Sequence, residues 1–213
     1  MRCRWISILL CFFLGFAALC PADDIRIFED SYSWEHPESI RLEEKDMLFN
    51  DPYVRDYQGR SFSFNFYFSD GTIFTLNVFQ WLYLFFGGWG LAVLVVRPDG
   101  ETFVYEEKIP DTGMVVAQDR FFVRFGDSVL EGADGEYCVR LILEGFQCDL
   151  HIVNSIPAWR PGDGYLILAP KGSIYTRFAV SSPWAHVRGT LTLQQQTIPV
   201  EGQCYGDSPD FSH

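Results

Sequence analysis

The sequence predicts an all-β fold of antiparallel strands, either closed into a barrel or folded as a strongly curved sandwich. The clearest observation is the segment 61–68, in which phenylalanines alternate with small or polar residues. A period of two puts the four rings on one face of a strand, the rings of Phe62, Phe64, Phe66 and Phe68. Turn pairs such as Asp134-Gly135 recur at spacings typical of all-β domains. No segment shows a capped apolar stripe of helical period, which argues against helices.

Two hairpins are predicted in the first half of the chain. Residues 61–68 pair with 73–79, and residues 91–97 pair with 102–106, each across a turn that contains Asp and Gly. The Gly-rich segment 85–90 lacks the strand-to-helix context of a phosphate-binding loop. We interpret it as a flexible apolar loop, suited to a cavity rim or a tip that touches a membrane.

A third hairpin can be given a register. If Glu144-Gly145 is a two-residue turn, the facing pairs on one side are all apolar. These pairs are Leu143 with Phe146, Leu141 with Cys148, Val139 with Leu150 and Tyr137 with Ile152. On the other side Arg140 faces Asp149, an ion pair. The register puts Cys138 and Cys148 on opposite faces, so we predict no disulfide between them.

Composition excludes several classes of protein. The chain has 16 basic and 28 acidic residues, a net charge of −12, which disfavours a nucleic-acid partner. The hydrophobic fraction of 48%, with 20 Phe, excludes a disordered chain. Neither the cysteines nor the four histidines have metal-ligand spacing, so we predict no metal and no cofactor.

The N-terminus predicts export. Arg2 and Arg4 precede a largely apolar run, 5–20, which is shorter than the roughly 20 residues that span a bilayer. Small residues around Cys20 then precede Asp23, as at a signal-peptidase site. We predict a signal peptide over 1–22 and one mature domain over 23–213, periplasmic or secreted. A lipid anchor on Cys20 is the alternative, and it would make a membrane a partner.

The second half of the chain carries an ordered series of short motifs. They are Phe122-Val123-Arg124-Phe125-Gly126-Asp127, Leu130-Glu131-Gly132, Ile156-Pro157-Ala158-Trp159-Arg160-Pro161-Gly162, Ser182-Pro183-Trp184-Ala185-His186-Val187-Arg188-Gly189 and Ile198-Pro199-Val200-Glu201-Gly202-Gln203-Cys204-Tyr205-Gly206-Asp207. This series resembles the lipocalin-like family of hydroxyneurosporene synthase (carotenoid 1,2-hydratase) and AttH-like proteins. The resemblance implies a lipocalin-like barrel.

The chain departs from the family pattern "G-x-G-Y-x-D-H". Gly202, Tyr205 and Asp207 match it, whereas Cys204 replaces the second glycine and Ser208 replaces the histidine. Family members continue into a second lipocalin-like domain, so the chain resembles the first domain alone. The resemblance therefore implies either self-association or a second domain as partner.

The resemblance also implies a candidate acid catalyst. Hydration of an isolated double bond needs a general acid and an apolar site for a tertiary cation. Asp207 would supply the acid and Tyr205 its hydrogen-bond partner, in surroundings that raise the pKa of the carboxyl group. The simpler alternative is a C-terminal turn in which Tyr205 closes a core strand.

Binding of a hydrophobic small molecule, of the isoprenoid or lipid class, is the function that the sequence favours. A β-barrel with an aromatic lining would hold such a ligand. The predicted ligand-binding residues are Phe62, Phe64, Phe66, Phe68, Tyr67, Trp81 and Trp159. Core packing is the alternative role of the phenylalanines. A secreted sugar-binding jelly-roll module, with Trp81, Trp89 and Trp159 exposed, is a further alternative.

Overall fold

The structure is a computed structural model that describes residues 26–27, 57–83, 86–117, 119–162, 164–167 and 174–212. The predicted signal peptide lies outside these residues. The strands are β1 (Arg26–Ile27), β2 (Tyr57–Phe68), β3 (Ile73–Tyr83), β4 (Phe86–Val96), β5 (Thr102–Ile109), β6 (Met114–Val116), β7 (Phe121–Phe125), β8 (Ser128–Ala133), β9 (Glu136–Leu143), β10 (Phe146–Asn154), β11 (Tyr165–Ile167), β12 (Tyr175–Leu193) and β13 (Gln196–Ser212). In the described ranges one 3-10 turn, Asp111–Gly113, is the only helix, and it is too short to cross a membrane.

The strands form one antiparallel sheet that curves into a nearly closed barrel, so the predicted fold class is confirmed. The order is β5-β4-β3-β2-β13-β12-β10-β9-β8-β7-β6, while β11 pairs with β12 and with β1. Neighbours in this order are mostly neighbours in sequence, and β2 pairs with β13, the last strand. The two edges, β5 and β6, are joined by the short segment that contains Asp111–Gly113.

The longest hairpin is β12–β13, whose strands have 19 and 17 residues. Its two-residue turn uses Gln194 and Gln195, both with positive φ, as a type I′ hairpin requires. The pairing shifts register on both sides of Ser182, and Pro183, which has no N–H to donate, lies within this irregular part of β12. One end of β12 pairs with β11 and the other with β10.

Alternation along β2 builds the core. The side chains of its four phenylalanines are between 0% and 5% exposed. Phe66 stacks on Phe74 at 4.8 Å, and Phe62 contacts Phe121 at 4.7 Å between ring centroids. Inward residues of β9 and β10 complete the same cluster. Because these rings are in contact and sealed from water, they fill the interior along β2.

The third predicted hairpin is confirmed pair by pair. In β9–β10, Leu143 faces Phe146 and Tyr137 faces Ile152, with the intermediate pairs as predicted. The Arg140 guanidinium lies 3.1 Å from the Asp149 carboxylate on the exposed side. Cys138 is exposed, whereas Cys148 is buried, and both are free thiols.

The prediction of a loop over 85–90 is wrong. β4 begins at Phe86 and continues to Val96 as a strand paired with β3 along its whole length. Gly88 and Gly90 face Trp81 and Phe79 of β3, and the two rings lie over the glycines. A glycine in a strand lets a neighbouring ring cover the backbone, which explains why this Gly-rich stretch stays in the sheet.

Candidate functional site

The predicted site residues divide between the two faces of the barrel wall. Phe62, Phe64, Phe66 and Phe68 point inward into the packed core. The other face of β2, β3 and β13 carries Tyr67, Trp81, Tyr205 and Asp207. Cross-strand partners share a face, and Asp207 pairs with Ser63 while Gly206 pairs with Phe64. The proposed acid and the phenylalanine column are therefore on opposite sides of the sheet.

Asp207 and Tyr205 are in contact on the outer face. The Asp207 carboxylate accepts hydrogen bonds from the hydroxyls of Tyr205 and Ser63. Burial raises the pKa of Asp207, and the two hydrogen bonds partly offset this rise. Burial, together with the charge of Asp207 and the hydrogen bond to it, raises the pKa of Tyr205 to about 12. The alternative of a C-terminal turn is wrong, because β13 continues through Pro209 to Ser212.

Polar groups continue from this pair across the sheet. Asn77 is the β3 partner of Ser63, and its side-chain oxygen is buried without a hydrogen-bond partner in the described residues. Asn65 accepts a hydrogen bond of 3.1 Å from the Thr75 hydroxyl in the adjacent row. The outer face thus holds a half-buried polar group formed by Ser63, Asn77, Tyr205 and Asp207, which we call the Asp207 cluster.

An aromatic surface adjoins the Asp207 cluster. Phe79 follows Asn77 by two residues on β3, or about 7 Å along the strand, and Trp81 follows Phe79 in the same way. A Cβ atom on Gly90 would lie 2.3 Å from the Phe79 ring, so the ring covers the bare backbone of β4. Trp81 covers Gly88 in the same way and keeps 41% of its surface exposed. We call Phe79 and Trp81 the aromatic platform.

The remaining predicted residues lie apart from this group. Tyr67 is on the outer face but 52% exposed, at the far end of β2. Trp159 pairs through its backbone with Val180 beside the irregular part of β12. Trp89 is buried at 7% exposure, on the face opposite Trp81. Trp81, Trp89 and Trp159 therefore do not form the common flat surface that a sugar-binding module would present.

Cys204, which replaces a glycine of the family pattern, belongs to the interior. It is 1% exposed and pairs with Phe66 and Ala185. Burial raises the pKa of its thiol above the ordinary range, so it stays protonated. No group of three or more His, Cys, Asp or Glu residues in the described part of the chain is placed to hold a metal ion.

The arrangement combines a hydrogen-bonding acid with an apolar surface. Asp207 can accept or, when protonated, donate a hydrogen bond, and Asn77 offers a further acceptor. Sequence reasoning missed Ser63, Asn77 and Phe79 as members of this surface. The signal was present, because Ser63 is an outward position of the same alternating strand that reveals the phenylalanine column.

No family model and no curated protein matches this chain. Solved structures do match it. The AttH-like protein NE1406 from Nitrosomonas europaea superposes with a TM-score of 0.64 at 18% identity, over 82% of this chain and 56% of that one. CghA, solved with Sch210972, gives a TM-score of 0.58 at 14% identity, over 80% and 50%.

The chain therefore spans about half the length of the solved structures that it matches. At these identities the likeness concerns the fold. The fold implied by the sequence resemblance is thus confirmed: this chain has the lipocalin-like fold of the AttH-like protein and CghA.

Proposed function

We propose that this chain is a lipocalin-like domain that binds a hydrophobic small molecule of the isoprenoid or lipid class on its outer face. The observation that carries the proposal is the aromatic platform, Phe79 and Trp81, beside the Asp207 cluster. Small-molecule sites combine apolar side chains with a few convergent polar groups, and a carboxyl with a raised pKa such as Asp207 marks a candidate functional position.

The packing of the interior supports the outer face as the binding side. Phe64 and Phe66 are 0% exposed, and Phe66 contacts Phe68 and Phe74. A ligand inside this part of the barrel would have to displace rings that already fill the space. The similarity to CghA, which was solved with Sch210972, also favours a ligand-binding role for the fold.

Tryptophan fluorescence tests the proposal. Addition of palmitate or retinol to the full chain should perturb the emission of Trp81, which is 41% exposed. In titration calorimetry, Trp81→Ala should weaken binding about tenfold, because an aromatic side chain supplies much of the apolar contact at such a site. Ile142→Ala is the matched control, since Ile142 is 44% exposed on a distant outer surface of β9. Equal affinity of both variants for either ligand would contradict the proposal.

Acid-catalysed hydration of an isoprenoid double bond is the second candidate function, and the raised pKa of Asp207 favours it. The Asp207 carboxyl would give its proton to one alkene carbon and leave a tertiary cation on the other. Water would then form the new C–O bond and return a proton to the carboxylate. The rings of Phe79 and Trp81 would stabilise the cation by cation–π attraction.

Mass spectrometry of the products tests this second candidate. An isoprenoid with an isolated double bond, incubated with the full chain, should gain the mass of one water. Asp207→Asn should abolish the gain while binding of the isoprenoid persists, since asparagine has no proton to give. Unchanged hydration in Asp207→Asn would remove Asp207 from the reaction.

Export and assembly complete the proposed function. The basic and apolar N-terminal segment supports cleavage after residue 22, so the intact mass of the mature protein should begin near Asp23. A retained segment 1–19 would contradict export by cleavage.

The coverage of about half of each matched structure supports a partner, either a second copy or a second lipocalin-like domain. A strict monomer in sedimentation at high concentration would argue against self-association.

A further inference from the structure

The hydroxyl groups of the Asp207 cluster are already used within it. Tyr205 and Ser63 each donate a hydrogen bond to the Asp207 carboxylate. A hydroxyl group has a single proton to donate, so neither of them keeps a proton for Asn77. The amide oxygen of Asn77 is the one side-chain oxygen of these four residues that is shut off from water without a hydrogen-bond partner in the described part of the chain. The unmet hydrogen-bonding capacity of the cluster is therefore that of an acceptor.

The cross-strand neighbours of Asn77 explain why its oxygen lacks a donor. On β2 it faces Ser63, whose proton goes to Asp207. On β4 it faces Ala92, whose side chain has no polar atom. Directly opposite residues are the closest neighbours on one face of a sheet. A buried acceptor without a donor destabilises a fold, so this oxygen points to a donor that a ligand supplies.

Asn65 shows that the same face can satisfy an asparagine. It faces Thr75 in the next row, and the Thr75 hydroxyl donates to its side-chain oxygen at 3.1 Å. Asn65 and Asn77 are both half-buried outward residues of neighbouring strands. Because a facing hydroxyl serves Asn65 and none serves Asn77, the two asparagines form a matched pair for experiment.

The charges around Asn77 favour a neutral ligand group over an anion. In the cross-strand row that runs through Asn77 from β13 to β5, Asp207 stands at one end and Glu106 at the other. Lys108, two residues beyond Glu106, is the one basic residue at the outward positions of the described strands β2–β5. A carboxylate or phosphate brought to Asn77 would therefore meet two acidic groups and one basic group, a net repulsion.

We propose that the polar end of the ligand is a hydroxyl group, as in an isoprenoid or long-chain alcohol, and that Asn77 recognises it by accepting its hydrogen bond. A hydroxyl brings a donor without a charge, whereas an ammonium group would leave water at high cost for a neutral amide oxygen. The chain of the alcohol would then lie over Phe79 and Trp81, about 7 and 14 Å further along β3. Recognition of this kind rests on the proposed function, because the aromatic platform has to hold the chain.

Access to Asn77 requires a side chain to move, because its oxygen is shut off from water. Phe79 is the next outward residue of β3, and its half-buried ring lies at the end of its side chain over Gly90. A shift of this ring would open Asn77 to the ligand and keep an aromatic surface beside the chain. The ligand hydroxyl would then make the hydrogen bond that the described residues leave unmade.

Four retinoids with the same isoprenoid skeleton test the recognition of a hydroxyl by the full chain: retinol, retinyl methyl ether, retinoate and retinylamine. Quenching of tryptophan emission gives the dissociation constant of each. Retinol should bind at least roughly tenfold more tightly than the ether, which has no donor. It should also bind more tightly than retinoate and retinylamine, which carry a charge.

The outcomes separate the hydroxyl from the platform. Equal binding of retinol and its ether overturns the recognition of a hydroxyl and leaves the proposed function standing, because the aromatic platform alone would then hold the ligand. Tighter binding of retinoate or retinylamine than of retinol overturns it as well, since the preferred group would be charged. Failure of all four retinoids and of palmitate to bind overturns both the recognition and the proposed function.

Matched variants of the two asparagines locate the hydrogen bond. Asn77→Leu should abolish the preference for retinol over its methyl ether and raise the Tm of the protein alone, because an unmet buried acceptor is lost. Asn65→Leu should keep the preference and lower the Tm, because the Thr75 hydroxyl loses its acceptor. Circular dichroism verifies that each variant folds, and Asn77→Ala repeats the test with a smaller side chain. A preserved preference in both Asn77 variants, or an equal loss in Asn65→Leu, overturns the assignment to Asn77.

Discussion

The two faces of β2 show how one strand can serve packing and chemistry at once. Its inward residues are phenylalanines whose rings touch and exclude water, whereas its outward residues are serines and an asparagine that bind neighbouring polar groups. Exposure differs as well, because the phenylalanines are buried whereas Ser63 and Asn65 are half-buried. The rings on the inner face are closely packed, and the outer face keeps an acceptor without a hydrogen-bond partner among the described residues, the side-chain oxygen of Asn77.

The strongest test of this contrast is a cavity in the inner face. Phe66→Ala should lower the free energy of unfolding by about 3–5 kcal/mol, since Phe66 is 0% exposed and stacked on Phe74. Its neighbour on the outer face, Tyr67, is 52% exposed, so Tyr67→Ala should change the stability by no more than about 0.5 kcal/mol. Chemical denaturation measures both. Similar losses of stability in the two variants would show that the two faces of β2 do not differ in their contribution to packing.

A smaller effect is expected where the aromatic platform rests on β4. The Cβ atom of Gly90→Ala would lie 2.3 Å from the Phe79 ring, which must move. The ring is half-buried and forms the end of its side chain, so it can shift and the loss should be about 1 kcal/mol, with weaker binding of retinol or palmitate. Gly113→Ala is the control, because its nearest atoms are 3.7 Å or more away. If Gly90→Ala leaves binding intact, the position of the Phe79 ring does not matter to the ligand.

The smallest effect concerns the titration of Asp207. Its pKa is raised by burial in the folded state, so the neutral carboxyl is the favoured form there. The stability that Asp207 contributes is fully present below the ordinary pKa of an aspartate. It is lost as the pH rises through the raised pKa of Asp207 in the folded protein. Asp207→Asn should therefore gain stability relative to the natural chain across this window, as thermal melts at a series of pH values would show.

Ser63→Ala sharpens the same measurement. The Ser63 hydroxyl lowers the pKa of Asp207 by donating a hydrogen bond to the carboxylate. Its removal should therefore raise that pKa further and widen the pH window over which the protein loses stability. A window that narrows in Ser63→Ala would contradict the assigned hydrogen bond.

Local alternation predicted much of the barrel wall. The register of β9 and β10 and the separate faces of Cys138 and Cys148 followed from one two-residue turn, because a strand repeats every two residues. The face shared by the four phenylalanines followed in the same way. These features depend only on residues that are close together in the sequence, so the alternation of residues along the chain is enough to predict them.

Features that depend on distant strands could not be predicted in this way. The segment 85–90 looks like a loop because glycines weaken a strand, but rings of β3 cover them. Prolines at 199 and 209 suggest breaks, yet β13 continues through both. Pro199 lies before the pairing of β13 with β2 begins at Gly202, so no N–H is needed there for β2.

The candidate site was predicted in its parts but not in its arrangement. Tyr205 and Asp207 were identified from a motif, and two-residue spacing put them on one face. Their location opposite the phenylalanine column depends on which residue of β2 faces Asp207, and only the β13–β2 register decides this. The phenylalanine column therefore lies on the opposite side of the sheet from the acid, and the aromatic platform lies on the same side as the acid.

Photo-crosslinking tests the central claim, that ligand binds the outer face rather than the phenylalanine interior, most directly. A diazirine-bearing fatty acid, irradiated with the full chain, should label outward residues of β3 and β4 around Phe79 and Trp81. Peptide mapping by mass spectrometry then locates the adduct. Labelling at Phe62, Phe64, Phe66 or Phe68 would contradict the account and return the ligand to the interior.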